Sequence, residues 1–131
     1  MPAFAGMTQV SKRILVIEDE PVSMQITTRK LQDNGYAVTG APDGEDALAL
    51  LKTNSFDLIF LDIQMPKMNG YTFIGELRKH ENPQVAATPV IVLTAHDKME
   101  PIFKRHGVKG YILKPLKIEE LLGKAKEILG E

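Results

Sequence analysis

A chain of 131 residues, 44% of them apolar, has room for one domain with a buried core of its own and not for two. With 16 Lys plus Arg against 17 Asp plus Glu, the net charge of −1 excludes the broad basic field that nucleic acid or anionic lipid would need. The absence of cysteine excludes disulfides, thiolate metal sites and a cysteine nucleophile.

Residues 1–11, with Pro2 and Gly6 among small and polar neighbours, read as a flexible tail, and residues 12–131 as the folded domain. No apolar run reaches the ~18 residues of a membrane span, and the opening lacks the long hydrophobic stretch of a secretion signal. A cytoplasmic protein without membrane insertion is therefore expected. In chain order, the runs 14–17 (ILVI), 58–61 (LIFL) and 90–93 (VIVL) are apolar without alternation. Such runs predict strands covered on both faces, as in a parallel sheet. Weaker strands are predicted at 37–39 and 110–113. Helical spacing connects Met24, Thr27 and Leu31, then Ala47, Leu48 and Leu51, then Phe73, Ile74 and Leu77. The last helix carries Ile118, Leu121, Leu122, Ala125, Ile128 and Leu129 on one side and Glu119, Glu120, Lys124 and Glu127 on the other. Strands alternating with helices predict right-handed crossovers and a doubly wound, five-stranded parallel α/β domain with helices on both faces.

The strong strands end at polar residues: Ile17 runs into Glu18, Asp19 and Glu20, Leu61 into Asp62, Leu93 into Thr94, and the fifth strand into Lys114. An open parallel sheet gathers the carboxyl ends of its strands along one edge, where ligands bind. Clustered carboxylates there suit a hard divalent cation such as Mg²⁺, with Mn²⁺ as a substitute. Asp19 and Asp62 are the expected direct ligands, and Glu18 is expected to act through a water or as a hydrogen-bond acceptor behind the ligands, because neighbours after a strand point apart. The backbone carbonyl of Gln64 offers a further oxygen. Asp62 is then a nucleophile toward phosphorus, with Lys114 as a point charge and Thr94 as a hydroxyl donor to phosphoryl oxygens.

The segments VIEDE, FLDIQMPKMNG, VLTA and YILKP together resemble the receiver domain of response regulators in two-component signalling, over almost the whole length from Lys12 to Leu129. The resemblance implies a flavodoxin-like, receiver-type fold. It also implies Asp62 as phospho-acceptor, Glu18 and Asp19 as the acidic pair, and Thr94, Tyr111 and Lys114 as switch residues. A cis bond is implied between Lys114 and Pro115. The implied donor is a histidine kinase or histidine phosphotransfer protein, the implied output is an altered surface for a downstream protein, and the chain would be a monomer or weak dimer. Glu18 stands where the family more often has Asp, and Asn69 likewise stands at a position often occupied by Asp. The stretch between Thr94 and Lys114 is short for the family, and its helix is expected over about 101–106.

The plainer readings lie beside these. His80, His96 and His106 are scattered and are expected at surfaces or helix ends, with His96 and Gln64 also candidates to border the acceptor pocket. Gly44 and Gly70 are expected as turn residues, since no phosphate-loop pattern follows a strand. Lys104, Arg105 and Lys109 read as a solvated face. The expected function is a phosphorylation switch and not an enzyme acting on an outside substrate. Two alternatives are a non-cycling docking module and a Mg²⁺-dependent aspartyl phosphatase. The latter is disfavoured because Gln64, two residues after the nucleophile, cannot serve as an acid or base.

Overall fold

Covering both faces of a sheet removes its central strands from water, and the central strands here show that outcome. The computed structural model describes residues 11–63, 68–95 and 107–130. Among these residues five parallel strands, β1 (Arg13–Ile17), β2 (Ala37–Ala41), β3 (Leu58–Asp62), β4 (Val90–Thr94) and β5 (Gly110–Leu113), pair in the order β2-β1-β3-β4-β5. Every residue of β3 and β4 is buried, as their unbroken apolarity predicts. The helices are α1 (Pro21–Asp33), α2 (Gly44–Leu51), α3 (Gly70–Arg78), the short α4 (Pro83–Ala86) and α5 (Ile118–Leu129). None of the described helices is long and apolar enough to cross a membrane.

Two cores flank the sheet. On one face Leu15, Ile17, Ile59, Leu61, Val90 and Val92 pack against α2 and α3 through Ala47, Leu51, Phe73, Ile74 and Leu77. On the other, Ile14, Val16, Leu58, Phe60, Ile91 and Leu93 pack against Leu31 of α1 and Leu121 and Ala125 of α5. Phe60 is the largest of the fully buried side chains on the α1/α5 side. Truncating a phenylalanine so placed to Ala costs about 3–5 kcal/mol.

Short polar residues set where the helices begin. Glu20 accepts a hydrogen bond from the Ser23 amide at 2.8 Å, with Pro21 following as a preformed first helical residue. Asp43 and Asn69 accept from the amides of Asp46 and Thr72 at 2.8 and 2.9 Å. Asn69 thus meets the local demand of its position through its side-chain oxygen. Gly44 and Gly70 are not turn residues as expected, but the first residues of α2 and α3. Their role is close approach: a Cβ on Gly70 would lie 2.8 Å from Cα of Ile63, and one on Gly44 would lie 2.9 Å from Sδ of Met68.

The short α4 was not foreseen, although Asn82–Pro83 is a cap followed by a first-turn proline; the Asn82 side chain accepts from the Gln84 amide at 2.9 Å. Arg78 fastens this corner, donating to the carbonyls of Ala86 at 2.8 Å and Thr88 at 2.7 Å. Lys124 departs from its expected place on the solvent side of α5. It is half-buried: its Nζ and Cε lie 3.5 and 3.8 Å from the place a Cβ on Gly110 would occupy, and the same Nζ reaches Glu127 at 3.7 Å. The tail at residues 1–10 and the helix expected over 101–106 lie outside the described residues.

Candidate functional site

The strand register decides which strand-end residues can meet. Side chains alternate between faces along a strand, and partners in parallel strands share a face. Glu18 continues β1 in phase with Val16, Asp62 is in phase with Phe60, and Lys114 continues β5 in phase with Ile112. All three therefore project on the α1/α5 side. The ladder extends to the residues that follow the strands: the Glu18 amide donates to the Ala41 carbonyl at 3.1 Å, and the Lys114 amide to the Thr94 carbonyl at 2.7 Å.

The side chains converge accordingly. Nζ of Lys114 lies 2.9 Å from Oδ2 of Asp62 and 3.9 Å from Oε1 of Glu18. Carboxylate oxygens of Glu18, Asp19 and Asp62 all lie within 4.8 Å of one another. Glu18 and Asp62 are buried, at 3% and 2% exposure, whereas Asp19 is exposed. The alternation argument that set Glu18 apart from direct ligation thus does not keep its carboxylate out of the group. An extra methylene and the loop that follows bring all three oxygen donors to one place.

Electrostatics shows what this arrangement costs. Burial, then a side-chain hydrogen bond to Asp62 and the charge of Asp62, push the Glu18 carboxyl from 4.5 up to about 7; the Glu20 amide, donating to Oε2 at 3.2 Å, and the charge of Lys114 pull it back. One amine cannot neutralise three carboxylates. A divalent cation relieves that repulsion, and the all-oxygen donor set suits a hard one. The residues present therefore fit a Mg²⁺ site.

Thr94 and Tyr111 stand differently. Thr94 is buried at the end of β4, adjoining the Asp62 strand, in phase with Val90 and Val92 on the α2/α3 side. Tyr111 pairs with Val92 and packs, half-buried, against the core of that same side. The two expected switch residues thus share one face, and the acceptor trio occupies the other. The Lys114–Pro115 bond is cis. Gln64, His96, Lys104, Arg105 and His106 lie outside the described residues. His80 serves a helix end as expected: Nε2 is 3.0 Å from the carbonyl of Leu51, the last residue of α2, and Nδ1 accepts from the Asn82 amide at 3.0 Å. Lys109 is exposed.

Sequence reasoning passed over one part of the site. A cavity of about 210 Å³ opens between α1 and the β5–α5 connection, with Glu18 and Lys114 in its wall beside Ser23, Ile26, Thr27, Pro115, Leu116 and Ile118. Thr27 is buried there at 3% exposure, and helical spacing alone placed it in the core without showing what it faces.

Comparison with known proteins is consistent across sequence and structure. Residues 14–126 match the family model for the response regulator receiver domain. The chain is 34% identical over 119 residues to protein PilH of Pseudomonas aeruginosa, covering 89% of this chain and 97% of that one. It spans about half the length of other curated relatives, among them probable transcriptional regulators. The chemotaxis response regulator CheY4 of Vibrio cholerae superposes with a TM-score of 0.84 at 31% identity, covering 91% of this chain and 99% of that one. The receiver domain of the sensor histidine kinase PA1611 from Pseudomonas aeruginosa, with a magnesium ion coordinated in its active site cleft, gives 0.80 at 29% identity over 93% of this chain and all of that one (100%).

Proposed function

The chain belongs to the response-regulator receiver family of two-component signalling, and we propose that it accepts a phosphoryl group on Asp62 in a Mg²⁺-dependent reaction. The observation that carries this reading is the buried Asp62 carboxylate, held 2.9 Å from Nζ of Lys114 beside two further carboxylates. One Asp62 oxygen attacks phosphorus while the bond from phosphorus to the donor's nitrogen or oxygen breaks in line, and the product is an acyl phosphate. Lys114 supplies a positive charge where the transferred oxygens arrive, without itself exchanging a proton. Glu18, Asp19 and Asp62 would hold the metal, with the Gln64 carbonyl as a further oxygen. When bound, Mg²⁺ would neutralise charge on the phosphoryl oxygens. A magnesium ion in the corresponding cleft of the PA1611 receiver supports this choice of cation.

The donor is a histidine kinase or a histidine phosphotransfer protein. The output is a changed surface for a downstream protein, relayed through Thr94 and Tyr111 on the α2/α3 side. The acyl phosphate adds about −1.5 to −2 charge, by analogy with phosphoserine, beside a lysine that had been paired with Asp62. The chain acts as a switch, and its only chemistry is its own phosphorylation and dephosphorylation. The test is intact-protein mass after incubation with acetyl phosphate, with and without Mg²⁺. A gain of one phosphoryl group that requires the metal and is absent in Asp62→Asn is expected. An equal gain in that variant would remove Asp62 from its role.

A further inference from the structure

We propose that the Asn34–Gly35 step closing α1 is a hydrolytic modification site, at which Asn34 converts to aspartate and isoaspartate while the protein stays folded. The sequence has a second Asn-Gly step, Asn69–Gly70, and the structure holds that one against the same reaction.

The chemistry needs no partner but water. The backbone nitrogen of Gly35 attacks Cγ of Asn34, the bond from Cγ to the side-chain nitrogen breaks, and ammonia leaves carrying the proton that the backbone nitrogen gave up. Water then opens the cyclic imide at either carbonyl. Attack on one side yields aspartate, and attack on the other yields isoaspartate, with one extra carbon in the main chain. The net change is amide plus water to carboxylic acid plus ammonia.

Access to the attacking nitrogen separates the two steps. Asn34 and Gly35 are both exposed, Gly35 has φ +93°, and nothing lies within 4 Å of the place a Cβ would occupy. What restrains the pair is three hydrogen bonds to the last turn of α1: the Gly35 amide donates to the Gln32 carbonyl at 3.0 Å, the Asn34 amide to the Leu31 carbonyl at 3.1 Å, and Nδ2 of Asn34 to the Lys30 carbonyl at 2.9 Å. Leu31 and Tyr36 on either side are buried, and a helix end frays without disturbing the core, so local opening releases all three bonds. Gly70, in contrast, is buried, its amide donates to the Ile63 carbonyl at 3.2 Å, and Cα of Ile63 leaves no room beside it. Asn69 is held in addition by its cap to the Thr72 amide. Freeing that step requires α3 to leave the core with Phe73, Ile74 and Leu77, which is close to global unfolding.

Conversion has a structural consequence. It removes the amide donor to the Lys30 carbonyl and places a second negative charge after Asp33 at the helix end that disfavours anions. The isoaspartate product also lengthens the connection from α1 to β2.

The full chain is incubated under native conditions at mildly alkaline pH and in a series of urea concentrations, then digested and mapped by mass spectrometry with chromatographic separation of aspartate from isoaspartate. In the native protein the peptide containing Asn34 is expected to convert roughly tenfold or more faster than the one containing Asn69. Its rate should stay flat at urea concentrations below the unfolding transition, and the two rates should meet above it. Equal native rates would overturn the proposal. So would an Asn34 peptide that remains intact in the folded protein and converts only on unfolding.

Discussion

Replacing Glu18 by Gln in the metal-free protein isolates the cost of crowding carboxylates at the strand ends. Burial first, and Asp62 beside it second, push the Glu18 carboxyl from 4.5 to about 7. Below about 4.5 the carboxyl is protonated in both folded and unfolded chains, and the penalty is absent. As the pH rises toward 7 the unfolded chain releases the proton while the folded protein keeps it. Above that value the folded protein must hold a buried anion. Stability contributed by this group is therefore greatest in acid and is lost as pH rises through about 7, the reverse of an ion-paired carboxylate. A rise of that size would carry roughly 3–4 kcal/mol unscreened, and solvent screening at the rim of the site reduces it to about 2–3 kcal/mol. On a domain of this size that is roughly 10 °C in melting temperature. The assay is urea or thermal unfolding of wild type and Glu18→Gln in the presence of a chelator, at several pH values from 5 to 8, bracketing the shift toward about 7. The stability of the variant relative to wild type should grow toward alkaline pH by about that amount. Adding Mg²⁺ should raise wild type by about 2.7 kcal/mol at a hundredfold excess over its dissociation constant and narrow the difference. A difference between the two proteins that is flat with pH, or that shrinks as pH rises, would refute the reasoning.

Other consequences can be measured directly. Lys114→Met should slow phosphorylation by acetyl phosphate on the order of a hundredfold, since it removes the cation 2.9 Å from Asp62; a rate within a factor of two of wild type would place that charge outside the reaction. Gly123→Ala in α5, where an added Cβ meets nothing within 4 Å, should stabilise by about 0.5–1 kcal/mol in urea unfolding. Gly70→Ala should instead destabilise by about 1–3 kcal/mol, because its Cβ would meet the Ile63 backbone. Arg78→Met should cost about 1–3 kcal/mol by leaving the Ala86 and Thr88 carbonyls without their donor, read as a lower urea midpoint.

The strands were legible because burial on both faces demands continuous apolarity, and β3 and β4 show it without interruption. The edge strand β2 was harder, since AVTGA has exposed and half-buried positions and a weak apolar pattern. Its two final residues, Gly40 and Ala41, were missed for that reason. Glu18, Asp19, Asp62 and Lys114 could be brought together from sequence because parallel topology forces strand ends to one edge. How the side chains divide between the faces could not, since that depends on the register between strands. The buried contacts of Gly44 and Gly70 were equally hidden: a glycine before a helical pattern reads as a turn, and only Met68 and Ile63 reveal that closeness is what it supplies.

The division of the strand ends has a bearing on inheritance. Glu18, Asp62 and Lys114 belong with one hydrophobic layer, Thr94 and Tyr111 with the other, and a single sheet separates the two layers. Substitutions on the α2/α3 side leave Glu18, Asp62 and Lys114 with their own packing layer, and substitutions along α1 and α5 leave Thr94 and Tyr111 with theirs. Each layer can therefore drift over generations without rebuilding what the other presents, whereas a slip in strand register would disturb both at once.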